Sequence, residues 1–432
     1  MVVLKRDGKR KVLFDRNKIV VAIGKAMAET GTMDERIAKE IAEKIELDYF
    51  NDRGMVSVEE IQDAVETELM RSGCEKTAKA YILYREDHAK KRGINNAILA
   101  KVMERIDAKN VENSNANVDE KSFSGREKEA SSDLQKMIAL EYNMSYDVAK
   151  AHKDGLIYQH DLDKYNIGEH NCLFIDFHKL LTEGFKTRNG DVRPPSSLST
   201  ACQQVAVIMQ CQSQVEYGGV ASAHLDYDLA PFVRKSFIRH FADGMKYIAK
   251  ESDEVIERYK KEADGISVGD YDKADYQSYR EVYQYAIDML EREGKQSFEA
   301  LYHNLNTLES RAGSQVPFTS LNSGRNTTWE GRFVTRHMLQ ASISGIGEFH
   351  LTPIFPISIT QAKIGVNMNP GDPNYDLKQL ALKSMAKRIY PNFVNCDWSQ
   401  AHEDPDDPDS YFSTMGQYRH DGPCKTQTNL QM

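Results

Sequence analysis

The 432-residue chain has no two cysteines in C-x-x-C spacing, and its six (Cys74, Cys172, Cys202, Cys211, Cys396 and Cys424) lie far apart. This scatter argues against a zinc ribbon or a disulfide framework, so no metal site is expected and a reducing cytoplasm is. An excess of positive charge is missing too. With 56 Lys and Arg against 65 Asp and Glu, the net charge is -9. A general nucleic-acid coat needs concentrated cations, so the expected partners are small nucleotides or proteins. Long apolar runs are absent as well. The N-terminal MVVLKRDGKR has no apolar signal core, and the strongest interior run, Val205 to Met209, falls far short of a membrane span. What the chain does have is 40% apolar and 9% aromatic residues, enough for a real core. Its length allows more than one domain at roughly 150 residues each.

The first 92 residues read as one unit. Val2 to Leu4 and Lys11 to Phe14 are β-prone runs around Lys5-Arg6-Asp7-Gly8-Lys9-Arg10, where Asp-Gly suits a tight hairpin turn. Asp15 is placed to cap a helix carrying Ile19, Ala22, Ile23, Ala26 and Met27. A second helix follows Thr32, with Ile37, Ile41 and Ile45 in one stripe. Ser57-Val58-Glu59-Glu60 has the form of a capping box, opening a third helix that Gly73 ends. A fourth carries Ala78, Tyr81, Ile82 and Arg85. The sum is a small helical bundle under a basic hairpin.

Residues 93–120 read as a linker, with a possible helix from Ile94 to Ala108 and then a polar segment holding Asn110, Asn113, Asn115 and Asn117. From residue 121 onward the pattern is α/β. Apolar runs at Leu173 to Phe177 and Val205 to Met209 read as strands, and Val233 to Tyr259 and Tyr276 to Leu301 read as helices. This alternation fits a barrel or a layered sheet equally well.

Chemistry-bearing residues concentrate between Tyr158 and Leu173, YQHDLDKYNIGEHNCL, which holds His160, Asp161, Asp163, His170 and Cys172. Taken singly, each histidine fits a polar turn and Cys172 fits a buried thiol. A zinc or iron site is a weak alternative, because no second ligand group of familiar spacing accompanies the cluster.

Two resemblances favour function over structure. VVLKRDGKRKVLFDRNKIVVAI, SVEEIQDAVETELM and AKAYILYRED resemble the ATP-cone, a nucleotide-sensing domain of ribonucleotide reductases. That resemblance assigns Lys5, Arg6, Lys11 and Lys18 to the triphosphate of ATP or dATP, a role that fits closely held cationic donors. The segments AHKDGLIYQHDLDKYNIGEHNCLFID, RPPSSLSTACQQVAVIMQCQSQVEYGGVASAHLDYDLAPFVRKSF, HNLNTLESRAGSQVPFTSLNSG, LTPIFPISI and YPNFVNCDW resemble, in order, the anaerobic glycyl-radical ribonucleoside-triphosphate reductases. The resemblance covers most of residues 121–416. It implies an α/β fold, the N-terminal part of a ten-stranded α/β barrel following a mainly helical cone. In that family a glycyl radical generates a cysteine thiyl radical that attacks the ribose, and a second cysteine supplies hydrogen and an electron. Cys172 matches the second cysteine. His160 matches a histidine of the active-site neighbourhood, and Ser197, Asn304 and Asn306 are candidate substrate-side groups. The run Lys186 to Arg193 and the helices after Gly218 resemble the subunit interface, beside which a second effector nucleotide binds. A homodimer, a radical-SAM activating enzyme and a formate or thioredoxin-like reductant are implied in turn.

The likeness stops at Gly416. After Ser413-Thr414-Met415-Gly416 the family continues with Cys-Arg-Thr, whereas this sequence continues Gln417-Tyr418-Arg419-His420. Residues 417–432 read as an unrelated tail, in which Cys424 is a poor substitute. The thiyl cysteine, the glycyl-radical segment and the zinc-binding cysteines are therefore expected outside this sequence. Two readings follow: a reductase sequence inactive in this form, or a non-catalytic nucleotide-binding fragment that pairs with an intact subunit. A nucleotide-sensing repressor would carry a C-x-x-C zinc ribbon before the cone, and a formate-lyase-type enzyme would pair two adjacent cysteines and lack the cone.

Overall fold

The computed structural model describes residues 1–397 except 7, 52, 108–118, 169–171, 188–189, 217, 274–277 and 312, with backbone alone described at 90–92, 94–95 and 271–273. The chain divides into two compact units, Met1–Lys101 and Val102–Met432.

In the first unit, β1 (Val2–Leu4) pairs antiparallel with β2 (Lys11–Leu13), and Gly8 in the turn between them has the positive φ of 69° that glycine adopts without strain. Asp15 caps α1 (Arg16–Thr30) by accepting from the Asn17 amide, and Asp34 caps α2 (Glu35–Phe50). The capping box at Ser57 is formed in full: Ser57 Oγ accepts from the Glu60 amide, and Glu60 accepts from the Ser57 amide, opening α3 (Val58–Arg71). One element is new. Met55–Ser57 forms β3, parallel to β1, so the hairpin is part of a three-stranded sheet of order β2-β1-β3. The core includes the predicted stripe residues Ile19, Ile23, Met27, Ile41 and Ile45, with Val65, Leu69 and Tyr81 from the third and fourth helices. The fourth helix, α4, runs from Glu75 to Asp107. Helix therefore continues through most of the expected linker, and its last polar part, with the four asparagines, lies outside the described residues.

The second unit begins with α5 (Phe123–Ile138) and α6 (Tyr146–Lys153), then winds β4 (Leu173–Ile175), α7 (Phe177–Glu183), a hairpin of β5 (Phe185–Thr187) and β6 (Gly190–Val192), and α8 (Leu198–Ser213). There follow β7 (Val220–Ser222), α9 (Leu225–Gly244), α10 (Asp253–Ala263), α11 (Arg280–Thr307), β8 (Thr319–Ser323), α12 (Trp329–Ser344), β9 (Ile357–Ala362), α13 (Tyr375–Arg388) and β10 (Asn392–Asn395). The sheet order is β10-β9-β8-β7-β4, parallel throughout. Each strand joins the edge left by its predecessor after a helical crossover, the winding by which parallel barrels grow. Five such strands are described.

One expected strand is corrected. Val205 to Met209 lies inside α8, where Leu198, Ala201, Cys202, Val205, Ala206, Ile208 and Met209 are all buried. A helix buried on nearly every side presents the same continuous apolar run as a buried strand, so periodicity does not separate them. The central strands are instead the short VAS of β7 and the polar TSLNS of β8. Side chains alternate between the faces of the sheet. Leu173, Ile175, Val220 and Leu321 join the large core with α8, α9, α11 and α12. The opposite face carries Ile357, Ile359, Val394 and Cys396 in a small cluster of its own, and by alternation Phe174, Ala221, Ser320 and Asn322.

Candidate functional site

The hairpin of the first unit brings four cationic side chains onto one element and the helix after it. The Lys5 amide donates to the Arg10 carbonyl at 2.8 Å, closing the turn, and Lys11 and Lys18 follow as exposed residues on β2 and α1. Among the described residues the ammonium groups of Lys5, Lys11 and Lys18 enter no ion pair. Arg6 differs. Its Nε donates to Glu59 Oε1 at 2.5 Å and its other arm donates to Gln62 Oε1 at 2.6 Å. The other oxygen of Glu59 accepts from Arg85 at 2.8 Å, and Arg85 also bonds Asp63 and Glu66 at 2.6 and 2.8 Å. Burial pushes the Glu59 carboxyl up, but the Arg6 and Arg85 guanidiniums outweigh it and hold the group below the usual carboxylate range.

In the second unit Cys172 sits one residue before β4, so alternation puts it with Phe174 on the face away from the helices. It is half-buried, and the Gly219 amide donates to its Sγ at 3.2 Å. That bond engages a sulfur lone pair. His160 is in a different setting. Its ring is 66% exposed and its Nδ1 is paired with the neighbouring Asp161 at 2.5 Å. Asp163 is buried and accepts from Ser132, a scaffold contact. His170 lies outside the described residues.

The three candidate substrate-side residues do not form one cluster. Ser197 is the buried N-cap of α8, its Oγ accepting from the Thr200 amide at 3.3 Å. Asn304, on α11, donates to Gln203 on α8 at 3.0 Å. Asn306 is fully used: its amide nitrogen donates to the Tyr302 and Phe355 carbonyls, and its oxygen accepts from the Ile354 and Phe355 amides at 2.8 and 3.1 Å. An asparagine with two donors and two lone pairs all engaged by backbone acts as a clamp on that loop.

With this geometry in place, comparison with known proteins is decisive. Residues 114–418 match the family of anaerobic ribonucleoside-triphosphate reductases, and residues 1–90 match the ATP cone domain. The chain belongs to the anaerobic ribonucleoside-triphosphate reductase family.

The anaerobic ribonucleoside-triphosphate reductase of Haemophilus influenzae is 33% identical over 400 residues, 91% of this chain and 52% of that protein. That of Salmonella typhimurium is 34% identical over 401 residues, 91% of this chain and 51% of the relative. The chain thus spans about half the length of the curated relatives it matches. For the first unit, the vitamin B12-dependent ribonucleoside-diphosphate reductase of Thermoplasma acidophilum is 48% identical over 91 residues, 19% of this chain and 11% of that one. An anaerobic ribonucleotide reductase from Thermotoga maritima, solved with dATP and CTP, aligns with a TM-score of 0.42 and 14% identity over 65% of this chain and 43% of that one, a likeness too weak to carry an argument.

In this reductase-family chain, sequence reading missed the residues that follow β7. Asp226 is fully buried, and its Oδ2 accepts from the Gly324 and Asn326 amides, both at 2.9 Å, pinning the loop after β8. Asn326 in turn packs so closely on α12 that a Cβ at Gly331 would lie 2.1 Å from its side chain. Beside them His224 pairs with the buried Asp228 at 3.2 Å; burial pushes the imidazole down, but Asp228 outweighs it and holds it up at about 9. These groups stand at the C-terminal ends of parallel strands, where such sheets gather their ligands. The signal was legible in His224-Leu225-Asp226-Tyr227-Asp228, charged residues interrupting an apolar helix start.

A separate cavity of about 550 Å³ lies between the Pro194-Pro195-Ser196 turn and α9 and α10, with Lys235, Arg239 and Lys260 in its wall. Behind it Glu293 accepts from the Ser199 amide, Ser236, Arg239 and His240 at 3.1, 2.9, 2.9 and 2.7 Å. Burial pushes the Glu293 carboxyl up, but His240, the Ser199 amide, Ser236 and Arg239 outweigh it and bring it to about 2. Among the described residues no three His, Cys, Asp or Glu side chains are grouped to hold a metal ion, and no helix is long and apolar enough to cross a membrane.

Proposed function

We propose that this chain carries the nucleotide-sensing domain and the reductant-cysteine part of the active site of an anaerobic ribonucleoside-triphosphate reductase. The observation that carries the reading is the family match across both units, with Cys172 entering β4 on the sheet face opposite the large helical core. In this reading residues 1–92 bind ATP or dATP, with Lys5, Arg6, Lys11 and Lys18 as phosphate donors. Residues 121–416 are the N-terminal part of the reductase barrel, joined to the first domain by residues 93–120. Cys172 donates a hydrogen atom and an electron to the ribose-derived radical, and its bond from Gly219 orients the sulfur for that step. His160 then has an organising role at most, since its exposed ring is already bonded to Asp161.

The cavity walled by Lys235, Arg239 and Lys260, with Asp243 and Asp264 also in its lining, is a candidate second effector site, because its cations suit phosphate and it adjoins the Lys186 to Arg193 region implied as a subunit interface. A homodimer, an activating enzyme of the radical-SAM class and a dithiol or formate reductant complete the proposal. In that family a glycyl radical starts the reaction. Two measurements test the reading. Equilibrium dialysis of ATP against the chain should show binding that Lys5→Ala and Lys18→Ala weaken; no binding overturns the cone assignment. Anoxic turnover with the activating enzyme separates the two classes: deoxynucleotide formation that Cys172→Ser abolishes supports catalysis, and its absence with ATP binding intact favours the non-catalytic fragment.

A further inference from the structure

Among the described residues, Arg6 is the one phosphate-assigned cation already held by a carboxylate. Its guanidinium is shared between Glu59 and Gln62 at 2.5 and 2.6 Å, whereas Lys5, Lys11 and Lys18 enter no ion pair among the described residues. Glu59 sits on the first turn of α3, between the Ser57 and Glu60 that form the capping box, and is half exposed. It is not needed to cap that helix, because Ser57 and Glu60 close the box without it. Its second oxygen is held by Arg85, which is anchored in turn by Asp63 and Glu66.

We infer that Glu59 is an internal anion that occupies Arg6 in place of a polyphosphate, so that nucleotide binding to the cone is an exchange of one anion for another. The inference rests on the assignment of Arg6 to the triphosphate. A phosphate oxygen arriving at Arg6 takes over the Nε donor, and Glu59 releases it without being stranded, because Arg85 still holds the other oxygen. Glu59 therefore sets the concentration at which the cone fills, and Arg85 keeps the displaced carboxylate in reach for the return. Gln62, a neutral partner, gives up its bond to Arg6 at lower cost.

The test is ATP affinity of the full chain, by calorimetry, for wild type, Glu59→Gln, Arg6→Gln and the double variant. Removing a competing half-exposed ion pair should tighten ATP about two- to fivefold in Glu59→Gln. In the Arg6→Gln background the same substitution should change affinity by less than about twofold, since the two residues act through one contact. Glu59→Ala must shift affinity in the same direction, which guards against an effect peculiar to the amide. Equal or weaker binding in both Glu59 variants, or the same gain with and without Arg6, overturns the inference while the cone assignment stands. A wild-type chain that binds no ATP removes both. Inorganic triphosphate should reproduce the pattern, since the exchange concerns phosphate and not the base.

Discussion

In the first unit the half-exposed Glu59 joins Arg6 and Arg85 in a chain of ion pairs, while in the second the carboxylates of Asp226, Asp228, Glu293 and Glu330 are themselves largely buried. Glu330 shows the second pattern well: it is 1% exposed and accepts from the Val268 amide, Ser267 and Arg234 at 3.0, 2.9 and 3.2 Å. An exposed carboxylate that loses a partner is rehydrated at little cost, so its bonds are exchangeable. A buried acceptor that is removed leaves donors with no water to turn to, so its bonds fix the backbone. The contrast matches the proposed roles. A sensor must trade one anion for another, and a radical site must keep its loops in place.

The largest test of this difference is Asp226→Ala. Two buried amides, Gly324 and Asn326, lose their acceptor, and the second unit should be destabilised by about 2–4 kcal/mol in urea unfolding. Loss below about 0.5 kcal/mol would mean that the loop after β8 is pinned by something else.

Glu293→Gln comes next and reads through pH. The folded carboxyl lies at about 2, below its ordinary 4.5. Its contribution is therefore fully present above pH 4.5 and is lost as pH falls through about 2. On the order of 3 kcal/mol should separate wild type from the variant near neutral pH, and the gap should close across that acid window. A gap that stays constant with pH would show that the carboxylate's charge is not what stabilises the α8–α9–α11 junction. His224 titrates with the opposite sign. Held at about 9 by Asp228, it adds stability that is full below about 6.5 and is lost as pH rises through 9, so His224→Gln should flatten the alkaline limb.

Ser57→Ala removes the capping box of α3 and should cost about 1 kcal/mol in the thermal transition of the first unit. Smallest of all, Glu59→Gln should leave that transition within about 0.5 kcal/mol while it changes ATP affinity. If Glu59→Gln destabilised the unit as much as Ser57→Ala does, the exchangeable surface network would be part of the scaffold after all.

Much of the first unit follows from local rules. Asp15 and Ser57 cap because an oxygen side chain just before an apolar-periodic run meets unpaired amides, and the stripes of Ile19–Met27 and Ile37–Ile45 are buried because their period is helical. Motif resemblance singled out Cys172 and the cations proposed for phosphate, without saying what each touches. Tertiary structure decided the rest. Met55–Ser57 became a strand only because β1 lay free along one edge, and such parallel pairing has no signature in three residues. Val205–Met209 became helix and the polar Thr319–Ser323 became central strand, because burial on all sides erases the periodicity that separates the two. Asn306, a plausible substrate ligand by composition, turned out to have all four of its hydrogen-bonding sites engaged by backbone. Sequence determined where the helices of the first unit begin and which residue types could do the chemistry. Which of them remain available to a ligand depends on partners far away in the chain, and only folding brings those partners within hydrogen-bonding distance.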